Sequence, residues 1–168
     1  MSTTRRNFSK ILVGIDGSEI SMKAAVYAID IANRKGNEMG NVQLIRLTVI
    51  DLTKISSSFF ATASGYYGAK ELEEKRKEAQ QWLDKVEKLA VEENNNNNND
   101  VNNIQFKSKI IEDLTSKVGS AIVDYAEREN IDLIVIGTRG RTGFKKMLLG
   151  SVASDVVTYA HCPVLVVK

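Results

Sequence analysis

One cysteine, one histidine and one tryptophan stand in a chain of 168 residues, and the first two scarcities each remove a class of protein. A lone Cys162 makes no internal disulfide framework and no multi-cysteine metal site. A lone His161 leaves a multi-histidine zinc site and a histidine-based triad without their side chains. Long hydrophobic runs are missing as well: the longest early one, Ile11 to Ile15, falls far short of the ~18 residues that span a bilayer. Neither sign of charge dominates. Twenty-three Lys and Arg face 21 Asp and Glu, a formal net charge of +2, without the basic excess of a nucleic-acid binder. The N-terminus shows no apolar core followed by a small-residue cleavage site. The expected compartment is therefore the cytoplasm, with neither a membrane nor a nucleic acid as partner.

What remains is an ordinary globular composition, 43% hydrophobic and 26% charged, in a length suited to one domain of ~100–200 residues. Residues 1–8 read as a flexible tail. Lys10-Ile-Leu-Val-Gly-Ile-Asp16 is a short apolar run closed by turn residues, the mark of a strand buried on both faces. From Ser18 the apolar positions Ile20, Ala24, Ala28, Ile31 and Ala32 recur at helical spacing; Ser18 or Ser21 caps this helix and Gly36 ends it. A second strand covers residues 41–50. Residues 51–68, rich in Ser, Gly and aromatics, form a variable loop. From Ala69 a helical stripe runs through Leu72, Ala79, Trp82, Leu83 and Val86, with Trp82 read as core. The asparagine run opens a connector over 94–103. Strand Ile104 to Ile111, a helix through Val118, Ile122 and Ala126, strand Asp132 to Gly137, a helix from Ser151 to Ala160 and a last strand over 163–168 complete the chain. Five strands alternating with four helices predict a single α/β domain over 1–168, a Rossmann-like sandwich with a mainly parallel sheet.

Such sheets bind ligands outside the carboxyl ends of their strands. The richest strand end is Gly137-Thr-Arg-Gly140-Arg-Thr-Gly143, continuing to Gly150-Ser151 at a helix start. Glycines let the backbone approach an anion, and a helix N-terminus offers N–H groups to phosphate. Ser151 adds a hydroxyl at the N-cap, and Arg139, Arg141, Lys145 and Lys146 add positive charge. The same glycines also suit a plain turn and Ser151 a plain cap, and spacing alone leaves both readings open. The pattern is neither a P-loop nor the usual dinucleotide fingerprint. Asp16 reads as a hydrogen-bonding residue, His161 and Cys162 as packing or helix-end residues; no catalytic residue is assigned.

The spacing Gly137-x2-Gly140-x9-Gly150-Ser151 matches the G-x2-G-x9-G-[S/T] signature of the ATP-binding branch of the universal stress protein family. Lys10-Ile-Leu-Val-Gly-Ile-Asp-Gly-Ser18 resembles that family's first strand and turn, Asp132-Leu-Ile-Val-Ile-Gly-Thr-Arg-Gly140 its fourth strand, Leu148-Leu-Gly-Ser-Val-Ala153 its last helix start and Cys162-Pro-Val-Leu-Val-Val167 its final strand. The resemblance implies the adenine nucleotide alpha hydrolase-like fold and an adenine nucleotide, ATP foremost, as ligand. It places Gly14, Ile15 and Asp16 beside adenine and ribose and Val49 against adenine. Gly137, Thr138, Arg139, Gly140, Arg141, Thr142 and Gly143 would wrap the ribose and phosphates. Gly150, Ser151, Val152 and Ala153 would offer amides and a hydroxyl to the phosphates. Thr48 departs from the pattern, since many members carry His before that valine. Mg²⁺ or Mn²⁺ would enter through the phosphates, with no metal held by protein alone.

The final strand, apolar and with nothing after it to cover its far side, predicts an isologous homodimer through residues 163–168, and the resemblance implies the same. The expected role is a nucleotide-dependent stress sensor or regulator with an unknown regulatory protein partner, slow ATP hydrolysis being an open addition. Two alternatives stand beside it: a nucleotide-independent interaction module of the same fold, and a flavin-binding electron carrier.

Overall fold

The structure, a computed structural model, describes residues 8–55, 66–97, 104–115, 117–140 and 149–168. Along the chain it forms β1 (Lys10–Gly14), α1 (Glu19–Met39), β2 (Val42–Asp51), a 3-10 turn (Leu52–Lys54), α2 (Tyr66–Asn97), β3 (Ile104–Asp113), α3 (Val118–Arg128), β4 (Leu133–Gly137), α4 (Ser151–Tyr159) and β5 (Val164–Val167). The five strands make one sheet in the order β3-β2-β1-β4-β5, and every pairing is parallel. This is the expected doubly wound α/β architecture.

Alternation along the strands explains why helices lie on both sides. Ile11 and Val13 of the first strand, with Ile15 just beyond it, face Ala24, Ala28 and Ala32 of α1 and Leu83, Val86 and Ala90 of α2. Leu12 points the other way, joining Ile45, Leu47 and Ile134 against Ile122 and Ala126 of α3 and Ala153 and Val156 of α4. Ile11, Leu12 and Val13 are fully buried, so a polar residue on either face of β1 would enter a core. Each such aliphatic side chain contributes about 1.5–3 kcal/mol by leaving water.

Four expectations about boundaries change. Phe8 does not belong to a free tail: it packs on the first core, and next to it Asp132 accepts hydrogen bonds from Ser9 N, Ser9 Oγ and Lys10 N. Residues 1–7 lie outside the described part. Gly36 does not end α1; it is buried inside the helix, and Gly40, at φ 86°, closes it by donating its N–H to the Gly36 carbonyl. The loop over 51–68 is trimmed at both ends, because Asp51 completes β2 and caps the 3-10 turn while α2 starts at Tyr66. Finally, α2 runs to Asn97, so the connector over 94–103 begins four residues late. An established helix gains one bond per added residue, and Asn lacks the severe cost of Gly or Pro. Residues 56–65 and 98–103 lie outside the described part.

Candidate functional site

Strand order reverses between β1 and β4. After β1 the chain crosses to the α1 face, and after β4 it crosses to the α4 face, which opens a crevice at the carboxyl ends of these two neighbours. Gly14, paired with Leu47, ends β1. Ile15 follows, buried, its N–H donating to the Leu47 carbonyl at 2.8 Å. Thr48 holds the same residue from the other side: its buried hydroxyl donates to the Ile15 carbonyl at 3.0 Å.

Asp16, Gly17 and Ser18 then turn the chain into α1. Asp16 Oδ1 accepts from Ser18 N at 3.0 Å and from Ser18 Oγ at 2.6 Å. Ser18 Oγ in turn accepts from Ser21 N at 3.1 Å, capping the helix. The turn needs Gly17, whose φ is 79°, a conformation costly for any residue with a Cβ.

On the other lip, Thr138 is buried and links two elements. Its N–H donates to Val167 O and its carbonyl accepts from Gly150 N, both at 2.7 Å. The glycines around it mark close approaches. A Cβ at Gly137 would stand 2.7 Å from Ile20 Cγ2, one at Gly150 3.2 Å from Thr138 O, and one at Gly140 2.6 Å from Asp16 Oδ2. The two lips therefore come together where Gly140 faces the Asp16 carboxylate.

A sequence model of the universal stress protein family matches residues 7–168. The chain belongs to that family. Over 163 residues it is 36% identical to universal stress protein MJ0531 of Methanocaldococcus jannaschii, covering 96% of this chain and 82% of that protein. It shares its fold with the universal stress protein UspA from Lactobacillus plantarum at a TM-score of 0.75 and 25% identity, covering 96% and 99% of the two chains. A universal stress protein solved in complex with cAMP has the same fold, at a TM-score of 0.63 and 20% identity over 96% of this chain and 98% of that one.

The family pattern can be set on the geometry residue by residue. Gly14, Ile15 and Asp16 line the β1 lip; Gly137, Thr138, Arg139 and Gly140 line the β4 lip. Val49 lies two residues past Leu47 in β2, half-buried on the α4 side of the sheet, and Val152 packs on the same core. Arg141, Thr142 and Gly143 lie outside the described residues, as do Lys145 and Lys146. One assignment is corrected: the N-cap of α4 is Gly150, at φ −72° and ψ 161°, and Ser151 is the first helical residue. Gly150 offers no side chain, so the opening N–H groups of α4 have no side-chain cap.

Among the described residues no three His, Cys, Asp or Glu side chains gather as metal ligands, and no helix is long and apolar enough to cross a membrane. His161 Nε2 lies 3.1 Å from the Ile131 carbonyl, a packing role. Cys162 is half-buried; burial first, then the nearby Asp132 charge, push its thiol pKa up, which disfavours the reactive thiolate. Sequence reasoning missed Thr48 and Ser21 as supports of the β1 lip. Hydroxyls in an apolar strand and at a helix start are the only signals that could have flagged them.

Proposed function

We propose that this universal stress protein binds an adenine nucleotide, ATP foremost, in the crevice between the β1 and β4 ends, and works as a nucleotide-dependent regulator in the cytoplasm. The observation that carries this reading is the approach of Gly140 to Asp16 beside a helix start capped by a glycine. Side chains at Gly137, Gly140 or Gly150 would fill the close approaches, and backbone N–H groups near anions are worth most where nothing else claims them. The ribose and base would lie along Gly14, Ile15, Asp16 and Val49. The phosphates would meet the segment from Gly137 through Thr138, Arg139, Gly140, Arg141 and Thr142 to Gly143, and the start of α4 beyond Gly150 at Ser151, Val152 and Ala153, since the Gly150 N–H is already given to the Thr138 carbonyl. The complex of a family member with cAMP supports an adenine nucleotide as the ligand class.

Mg²⁺ or Mn²⁺ fits this arrangement as a companion of the phosphates. One carboxylate, Asp16, stands at the crevice, and hard cations are commonly held by one or two carboxylates plus phosphate oxygens. Bound there, the ion would neutralise phosphate charge; holding the nucleotide falls to the residues named above.

Gly140→Glu tests the placement. Its carboxylate would enter the space where phosphate is to lie and confront Asp16. The expected outcome is a loss of ATP affinity of about 100-fold or more, read by calorimetry on a variant whose circular dichroism matches the wild type. Unchanged affinity would contradict the site.

A further inference from the structure

The Asp16–Gly17–Ser18 turn is held from two directions. Towards the crevice, Asp16 faces Gly140. Away from it, a Cβ at Gly17 would run into the indole ring of Trp82, so the indole lies directly against the turn's backbone. Trp82 belongs to α2 and is the chain's one tryptophan. It packs both on the main core of that sheet face and on the small cluster of Ile50, Ile55 and Ala79 at the end of β2.

The helix that carries Trp82 is itself fixed one residue further on. Arg46, with 4% of its side chain exposed, donates from Nη1 to the Leu83 carbonyl at 2.8 Å and pairs with Glu87 Oε2 at 2.9 Å. Its guanidinium carbon sits 5.5 Å from the Phe106 ring centre. A planar indole with two side-chain torsions, anchored in this way, is a stiff support.

We propose that Trp82 is a positioning residue of the nucleotide site: it sets the turn, and through the turn the Asp16 carboxylate, so that occupancy of the crevice is felt at the indole. The inference rests on the adenine-nucleotide reading and adds to it a route from the site to α2.

ATP titration of the full chain, followed by calorimetry and by Trp82 emission, tests it. Saturating ATP should shift or quench the emission of the wild type. Trp82→Leu should weaken ATP binding about tenfold, and the same substitution in an Asp16→Ala background should change affinity less than about twofold, since a residue acting through Asp16 has nothing left to position. Trp82→Phe, which keeps an aromatic plate, should restore most of the loss. Equal losses in both backgrounds, or none in either, would overturn the proposal while leaving the nucleotide reading intact. Absence of ATP binding to the wild type would overturn both. Should Trp82→Leu not fold, Trp82→Phe and the wild-type emission decide: emission indifferent to bound ATP rejects the role.

Discussion

Asp16 serves two neighbours at once. One carboxylate oxygen fixes Ser18, whose hydroxyl caps α1, and the other stands where Gly140 leaves room. Thr48 supports the preceding residue from inside the sheet. Its buried hydroxyl donates to the Ile15 carbonyl and keeps that polar group satisfied. Thr48→Val preserves shape and removes the bond, so it should lower stability by about 1 kcal/mol. A drop in the urea midpoint at constant slope would show this, and Thr48→Ser should recover most of it. Arg46 shows the limit of reading residues singly. Within an apolar strand its charge is unexplained until α2 supplies Leu83 and Glu87, which lie 37 and 41 residues away. The same holds for Trp82: its place on an apolar stripe announces burial, and only the folded chain brings it to Gly17.

At the scale of elements, α2 lies along the outer half of the sheet and is tied to β3 by a second, exposed pair. Arg76 Nε donates to Glu112 Oε1 at 2.6 Å and Arg76 Nη2 to Oε2 at 3.1 Å. The guanidinium hydrogen bond holds the Glu112 carboxyl below its usual range, against a smaller opposing effect of burial. A carboxyl depressed in the folded state stabilises above its unfolded pKa and loses that contribution as pH falls through the folded value. Wild type should therefore exceed Glu112→Gln in stability by no more than about 1 kcal/mol near pH 7, and by less near pH 3. Urea midpoints at the two pH values check the sign; a difference that grows in acid would refute it. Element type was plain from the sequence because short apolar runs closed by turn residues and stripes of period 3.6 are strong in this chain. Boundaries were less so, since they depend on local competition. Gly36 is carried through α1 by packing, Asn94 to Asn97 by an already formed helix, and the cap of α4 fell to Gly150 rather than Ser151. The glycine lips were visible as a spacing, but their meeting at Asp16 required the strand order.

The whole molecule presents two sheet edges of opposite character. The outer edge strand β3 places Gln105, Lys107, Ser108, Lys109 and Glu112 at the surface, charges and polar groups that discourage strand pairing. The other edge, β5, is Val164-Leu-Val-Val167 with no polar residue, and the helix before it exposes Val157 and Tyr159. We propose that two copies meet along residues 163–168 about a two-fold axis, each covering the other's unguarded edge. Light scattering should give twice the chain mass at micromolar concentration, and a monomer there would argue against the pairing. Such a dimer would lie next to both candidate crevices, since β5 is bonded to β4 and Val167 O receives the N–H of Thr138 on the β4 lip.

A crystal structure grown with excess ATP and Mg²⁺ tests the central claim most directly. The account predicts phosphate density against the backbone of Gly140 and the first amides of α4, with the base towards Val49. A crevice closed by the protein's own side chains, or ATP bound only elsewhere on the surface, would contradict it.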